Sequence, residues 1–150
     1  MQELTHYING AHVAGASGRF SNVYNPATGE VQAKVPLASA DEMAQAVEIA
    51  AAAQVAWGAV NPQRRARVMM KFIDLLNRDM DALAEALSRE HGKTLPDAQG
   101  DVQRGLEVVE YCIGAPQMLK GDFTDSAGPG IDMYSMRQAR GVCAGITPFN

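Results

Sequence analysis

The stretch Gly141-Val-Cys-Ala-Gly-Ile146 constrains the fold more than any other part of the chain. It is a short, mostly apolar run, which is how a strand buried on both faces of a parallel sheet reads. Such a strand needs neighbours, and parallel neighbours need crossover connections of about a dozen residues or more. The sequence closes four residues beyond the run, and the residues before it read mostly as helix, which cannot supply a sheet. The pattern therefore predicts a chain cut where an open α/β sheet begins. Thr147-Pro148-Phe149-Asn150 would lie at the carboxyl end of the strand, where such sheets bind ligands.

The segments upstream carry clear local signals. Residues 7–14 contain Asn9-Gly10, the dipeptide favoured in tight hairpins. Residues 20–24 are a second short strand candidate. Asn25-Pro26-Ala27-Thr28-Gly29 is a turn signal, and residues 30–35 alternate as a half-buried strand does. Ser39-Ala40-Asp41-Glu42 is a capping box. Behind it Met43, Ala46, Val47, Ala50, Ala53 and Trp57 share one helical face, with Asp41, Gln45 and Glu48 on the other and Gly58 as a stop. Asn61-Pro62 opens a second helix with an Ala66, Met69, Ile73, Leu76 stripe. Asp79 restarts a third, with Met80, Leu83, Ala84 and Leu87 inward and Gly92 ending it. Pro96 begins a fourth, with Val102, Leu106, Val109 and Ile113 on one side. Residues 121–132, rich in Gly and Pro, read as a loop, and residues 133–139 as an exposed or edge strand.

Composition excludes several functions. Hydrophobic residues make up 47 %, against disorder. The formal net charge of -4 gives no electrostatic case for nucleic acid or an anionic membrane. The arginines at 64, 65 and 67 read as a solvated helix face. No apolar window reaches the roughly 18 residues of a membrane span. The three histidines and two cysteines sit at no metal-ligand spacing, so no metal is expected. Isolated thiols and an amino terminus without a signal-peptide pattern point to the cytoplasm.

Motif by motif, the plain reading often prevails. Gly92-Lys93-Thr94 lacks the upstream glycine of a phosphate-binding loop and reads as a helix stop with an exposed lysine. Cys112 and Cys143 read as buried, inert thiols. Arg104 shares a helix face with Asp97, Asp101, Val108 and Tyr111. It admits two readings: half of an Asp101–Arg104 surface pair, which the pattern favours, or a guanidinium fork for a substrate carboxylate. The Asn150 amide could donate to a developing oxyanion, although a lone Asn carries no meaning by itself.

Together these stretches resemble the aldehyde dehydrogenase superfamily over essentially the whole chain. The resemblance lies in Tyr-Ile-Asn-Gly at 7–10, Asn-Pro-Ala-Thr-Gly-Glu-Val at 25–31, Glu-His-Gly-Lys at 90–93 and Gly-Val-Cys-Ala-Gly-Ile-Thr-Pro-Phe-Asn at 141–150. The run from Lys93 to Glu110, with Phe149 where many relatives carry Trp, looks like the methylmalonate-semialdehyde dehydrogenase branch. The resemblance implies an α/β fold of which this is the amino-terminal part. Residues 1–121 would form a hairpin and helical layer, 122–140 an oligomerisation segment, and 141–150 the first strand of a Rossmann-like sheet, with the catalytic domain absent. It implies that Ile146, Thr147, Pro148 and Phe149 line an NAD site, that Asn150 is an oxyanion donor, and that Arg104 grips a substrate carboxylate. It further implies oxidation of malonate or methylmalonate semialdehyde with NAD and coenzyme A, giving acetyl-CoA or propionyl-CoA and carbon dioxide, in a homodimer or homotetramer. Neither cysteine matches the family's nucleophile, so these 150 residues alone should be inactive. The runner-up is a generic aldehyde dehydrogenase without coenzyme A dependence; an alternative of another class is a non-catalytic helical interaction module.

Overall fold

The computed structural model describes residues 2–148. The chain opens with β1 (Gln2–Glu3), then a hairpin of β2 (His6–Ile8) and β3 (Ala11–Val13). Asn9 and Gly10 take φ of 54° and 75°, the left-handed pair a two-residue hairpin turn demands. β4 (Phe20–Tyr24) and β5 (Val31–Pro36) pair antiparallel, and β1 joins the far side of β5 in parallel, giving the order β1-β5-β4. Between them the Asn25 side chain accepts from the Ala27 amide at 2.9 Å and Gly29 takes φ 75°, so the expected turn forms.

Four helices form the middle of the chain: α1 (Ala40–Ala59), α2 (Pro62–Arg78), α3 (Met80–His91) and α4 (Leu95–Ile113), followed by the single turn α5 (Ala115–Met118). Their starts follow the sequence signals. The Glu42 amide donates to Ser39 Oγ at 3.2 Å and the Ser39 amide donates to Glu42 Oε2 at 2.8 Å, closing the capping box. The Gln63 amide donates to Asn61 Oδ1 at 2.8 Å. Thr94 caps α4, which starts at Leu95, one residue before the expected Pro96. α1 runs through Gly58 to Ala59, because a lone glycine near an end weakens a helix without stopping it. Gly92, at φ 72°, ends α3 as expected. Among the described residues no single helix is long and apolar enough to cross a membrane, and α1 and α2 meet at a bend of 114°.

α2, α3 and α4 pack together. The buried hydrophobic residues there are Ala66, Ala84, Ala98 and Leu106, and Ala33 and Pro36 of β5 are buried as well. Met69, Ile73, Leu76, Leu87, Val102, Val109 and Ile113 are half-buried, as their stripes predict. The face expected to be inward on α1 is not covered. Met43, Val47, Ala50, Ala53 and Trp57 are exposed and no residue of α1 is buried. His6–Ile8 approach its start beside Met43 and Ala46, and Gly141–Cys143 approach its end beside Ala50, Ala53 and Trp57, leaving open grooves.

The last third departs most from expectation. Residues 123–128, read as loop, form β6 (Phe123–Gly128), paired with β7 (Ile131–Tyr134) around Gly128-Pro129-Gly130. The expected strand at 133–139 is therefore shorter and earlier, ending at Tyr134, because its hydrogen bonds come from the hairpin partner. The run at 141–146 forms no strand, and residues 141–148 are exposed throughout. A strand exists only through ladder bonds to a neighbour, and among the described residues none lies beside it. The two thiols are accordingly exposed rather than buried: Cys143 has no sheet around it, and Cys112 lies on an open side of α4.

Candidate functional site

Arg104 stands on α4, ten residues into a helix whose start is fixed by the Thr94 cap. Its side chain is 82 % exposed. Arg104 Nη1 lies 3.6 Å from Asp101 Oδ1, inside ion-pair range but too long for a hydrogen bond. The i,i+3 pair read from the sequence is thus present, and most of the guanidinium's donors remain free.

Lys93 changes that picture. The sequence pattern predicts an exposed lysine, yet its side chain and that of Asp101 are both 23 % exposed, and Lys93 Nζ donates to Asp101 Oδ2. The connector between α3 and α4 explains the placement. Gly92 turns the chain left-handed, Ser88 Oγ donates to the Lys93 carbonyl at 2.7 Å, and Thr94 accepts from Asp97, so the lysine stem lies back along α4. The Lys93 hydrogen bond, with further attraction from Lys93, Arg104 and His91, holds the Asp101 carboxyl below its ordinary value against a smaller opposing effect of desolvation. The available signal was a cation immediately after a helix-ending glycine, with an acid two turns into the next helix.

The expected cofactor-lining residues are on the other side of the sequence. Ile146 is 100 % exposed, and Thr147 and Pro148 are exposed. A Cβ added at Gly145 would meet nothing within 4 Å. An open backbone with an apolar side chain is compatible with the nicotinamide end of a dinucleotide, which needs close backbone approach and an apolar wall. Phe149 and Asn150 lie outside the described residues. Among the described residues no hydrogen bond or ion pair joins Arg104 to residues 146–148, and none has three or more metal-ligating side chains grouped together.

A second polar cluster fixes the amino-terminal layer. The Ala16 amide donates to Glu42 Oε1 at 2.6 Å, and His6 Nε2 lies 4.0 Å from the same oxygen. Hydrogen bonds from the Ala16 and Ser39 amides hold the Glu42 carboxyl below its ordinary value. This carboxylate serves structure, tying the hairpin region to the first turn of α1.

Known proteins match this arrangement along its length. A malonate-semialdehyde dehydrogenase of Pseudomonas aeruginosa is 47 % identical over 150 residues, covering 100 % of this chain and 30 % of the relative. The acylating, mitochondrial methylmalonate-semialdehyde dehydrogenase of Arabidopsis thaliana is 45 % identical over 143 residues, covering 95 % of this chain and 24 % of its own length. The chain thus spans less than a third of these relatives. Among solved structures, an NAD complex from Sinorhizobium meliloti 1021, assigned as a methylmalonate-semialdehyde dehydrogenase, superposes with a TM-score of 0.95 at 65 % identity, over 100 % of this chain and 30 % of that one. The methylmalonate-semialdehyde dehydrogenase of Oceanimonas doudoroffii gives 0.87 at 43 % identity, over 92 % and 28 %. The aldehyde dehydrogenase family pattern matches residues 12–150. With the fold, the relatives and the family pattern in agreement, the chain belongs to the aldehyde dehydrogenase family.

Proposed function

We propose that these residues serve as the amino-terminal part of a longer NAD-dependent dehydrogenase acting on malonate or methylmalonate semialdehyde, with coenzyme A as acyl acceptor. The observation that carries this reading is the open Arg104 guanidinium on α4, whose acid neighbour is already hydrogen-bonded by Lys93. A planar fork with free donors suits a carboxylate, the group that separates these semialdehydes from simple aldehydes. The relatives' names point the same way. Ile146, Thr147, Pro148 and Phe149 would line the nicotinamide end of NAD, which would supply the hydride acceptor, and Asn150 would donate to the substrate oxyanion. The nucleophile would come from residues beyond 150, since neither cysteine here carries the family's motif. Residues 122–140, with the exposed β6–β7 hairpin, would pair across subunits in a homodimer or homotetramer.

The test is Arg104→Ala in the complete enzyme. KM for malonate semialdehyde should rise about tenfold or more, with that for propanal little changed. Equal effects on both substrates would remove the carboxylate assignment. They would favour a generic aldehyde dehydrogenase, a reading supported by the 3.6 Å approach of Arg104 to Asp101 as a plain surface pair.

A further inference from the structure

We propose that Lys93 is a positioning residue for substrate specificity: by occupying Asp101 it keeps the Arg104 guanidinium free for a substrate carboxylate. The inference rests on the reading of Arg104 given above and adds a second residue to it.

Asp101 stands between two cations. Its Oδ2 accepts from Lys93 Nζ, and its Oδ1 lies 3.6 Å from Arg104 Nη1. The lysine contact is a hydrogen bond, whereas the arginine contact is not. Lys93 and Asp101 are largely covered, and Arg104 extends into solvent. The three groups carry one net positive charge, and the fold places that surplus on the outermost of them. Without Lys93, the carboxylate could turn both oxygens onto Arg104, one helical turn away. A bidentate pair would then form. It would use the same fork that a substrate needs and cancel the charge that attracts it. Lys93 is held for this role by backbone features rather than chance, since the left-handed Gly92 and the Ser88 hydrogen bond to the Lys93 carbonyl fix where its stem begins.

The experiment compares steady-state kinetics of the complete enzyme and four variants on malonate semialdehyde and propanal: Lys93→Met, Asp101→Asn, Lys93→Met with Asp101→Asn, and Arg104→Ala. Lys93→Met should raise KM for malonate semialdehyde about tenfold, leaving kcat and the propanal constants in place, as loss of one charge-assisted contact would. The double variant should return KM to within about twofold of the parent, because the competing carboxylate is gone. Asp101→Asn alone should not raise it. Propanal turnover reports that each variant is folded, and Asp101→Asn keeps the test decisive should Lys93→Met fail to fold. The inference is overturned if Arg104→Ala discriminates between substrates but Lys93→Met does not, if the double variant stays as impaired as the single, or if Asp101→Asn raises KM. Loss of discrimination in Arg104→Ala itself would instead strike the underlying reading.

Discussion

Separating residues 1–150 from everything that would cover them should leave a chain without a cooperative fold. The structure exposes 11487 Å² for 16.0 kDa. A compact monomer of that mass exposes ~7,400 Å² by the usual scaling of surface with mass. The surplus is therefore ~4,000 Å², and much of it is apolar, including Tyr111, Phe123 and Ile146. With about half of it apolar and ~25 cal/mol per Å², the missing burial amounts to tens of kcal/mol. Domains are stable by only ~5–15 kcal/mol, so the shortfall decides the outcome. The assay is thermal unfolding of the isolated polypeptide by circular dichroism, with light scattering for its mass and an amide correlation spectrum. The expected result is a broad, shallow transition with poor amide dispersion, or association into large species. A monomer with a sharp transition and well-dispersed amides would refute the argument and support a self-sufficient helical module.

Three further outcomes follow from single sites. The Glu42 carboxyl lies below its ordinary value of 4.5, so its tie to the Ala16 amide is fully present above that pH and lost as pH falls through the lower folded value; protection of the Ala16 amide from exchange should fall in that acid range, and Glu42→Gln should abolish the pH dependence. Gly92→Ala should destabilise the complete enzyme by about 1–2 kcal/mol, since φ is 72° and the new Cβ would sit 3.0 Å from Pro26 Cγ; Gly92→Asn, which tolerates that backbone better, should cost less, and equal melting shifts would contradict the backbone argument. Both thiols are exposed here, so maleimide should label Cys112 and Cys143 in the isolated chain; in the complete enzyme Cys143 should be protected, and equal labelling there would argue against a buried strand at 141–146.

Local signals were the most legible in the sequence. Asn9-Gly10, the Ser39–Glu42 box, Asn61-Pro62 and Gly92 each specify geometry within a few residues, and each forms as read. The stripes of α2 and α4 also hold, because those helices meet one another. The α1 stripe does not yield burial, since periodicity shows which face wants a partner and cannot provide one. β6 is not legible in the sequence because Gly128-Pro129-Gly130 dominates its surroundings, although Phe123 and Ile131 flank that turn as hairpin strands do. In the candidate site, Arg104 and its Asp101 neighbour were visible through helical spacing. The Lys93 contact was not, because it depends on the left-handed turn at Gly92 folding one helix back beside the next. The apolar pattern at 141–146 is legible, but the run forms no strand, because among the described residues no strand lies beside it to supply ladder bonds.

The uncovered α1 has a consequence for the order of events during synthesis. Its twenty residues are rich in alanine, the strongest intrinsic helix former, and capped at the start by reciprocal bonds. A helix of that length and make-up sits near the threshold where short helices persist in water by themselves. It can thus take shape as it leaves the ribosome, some eighty residues ahead of Gly141. Its small side chains at Ala50 and Ala53 leave a low-relief floor, with Trp57 as a wall, against which late-arriving backbone can lie close.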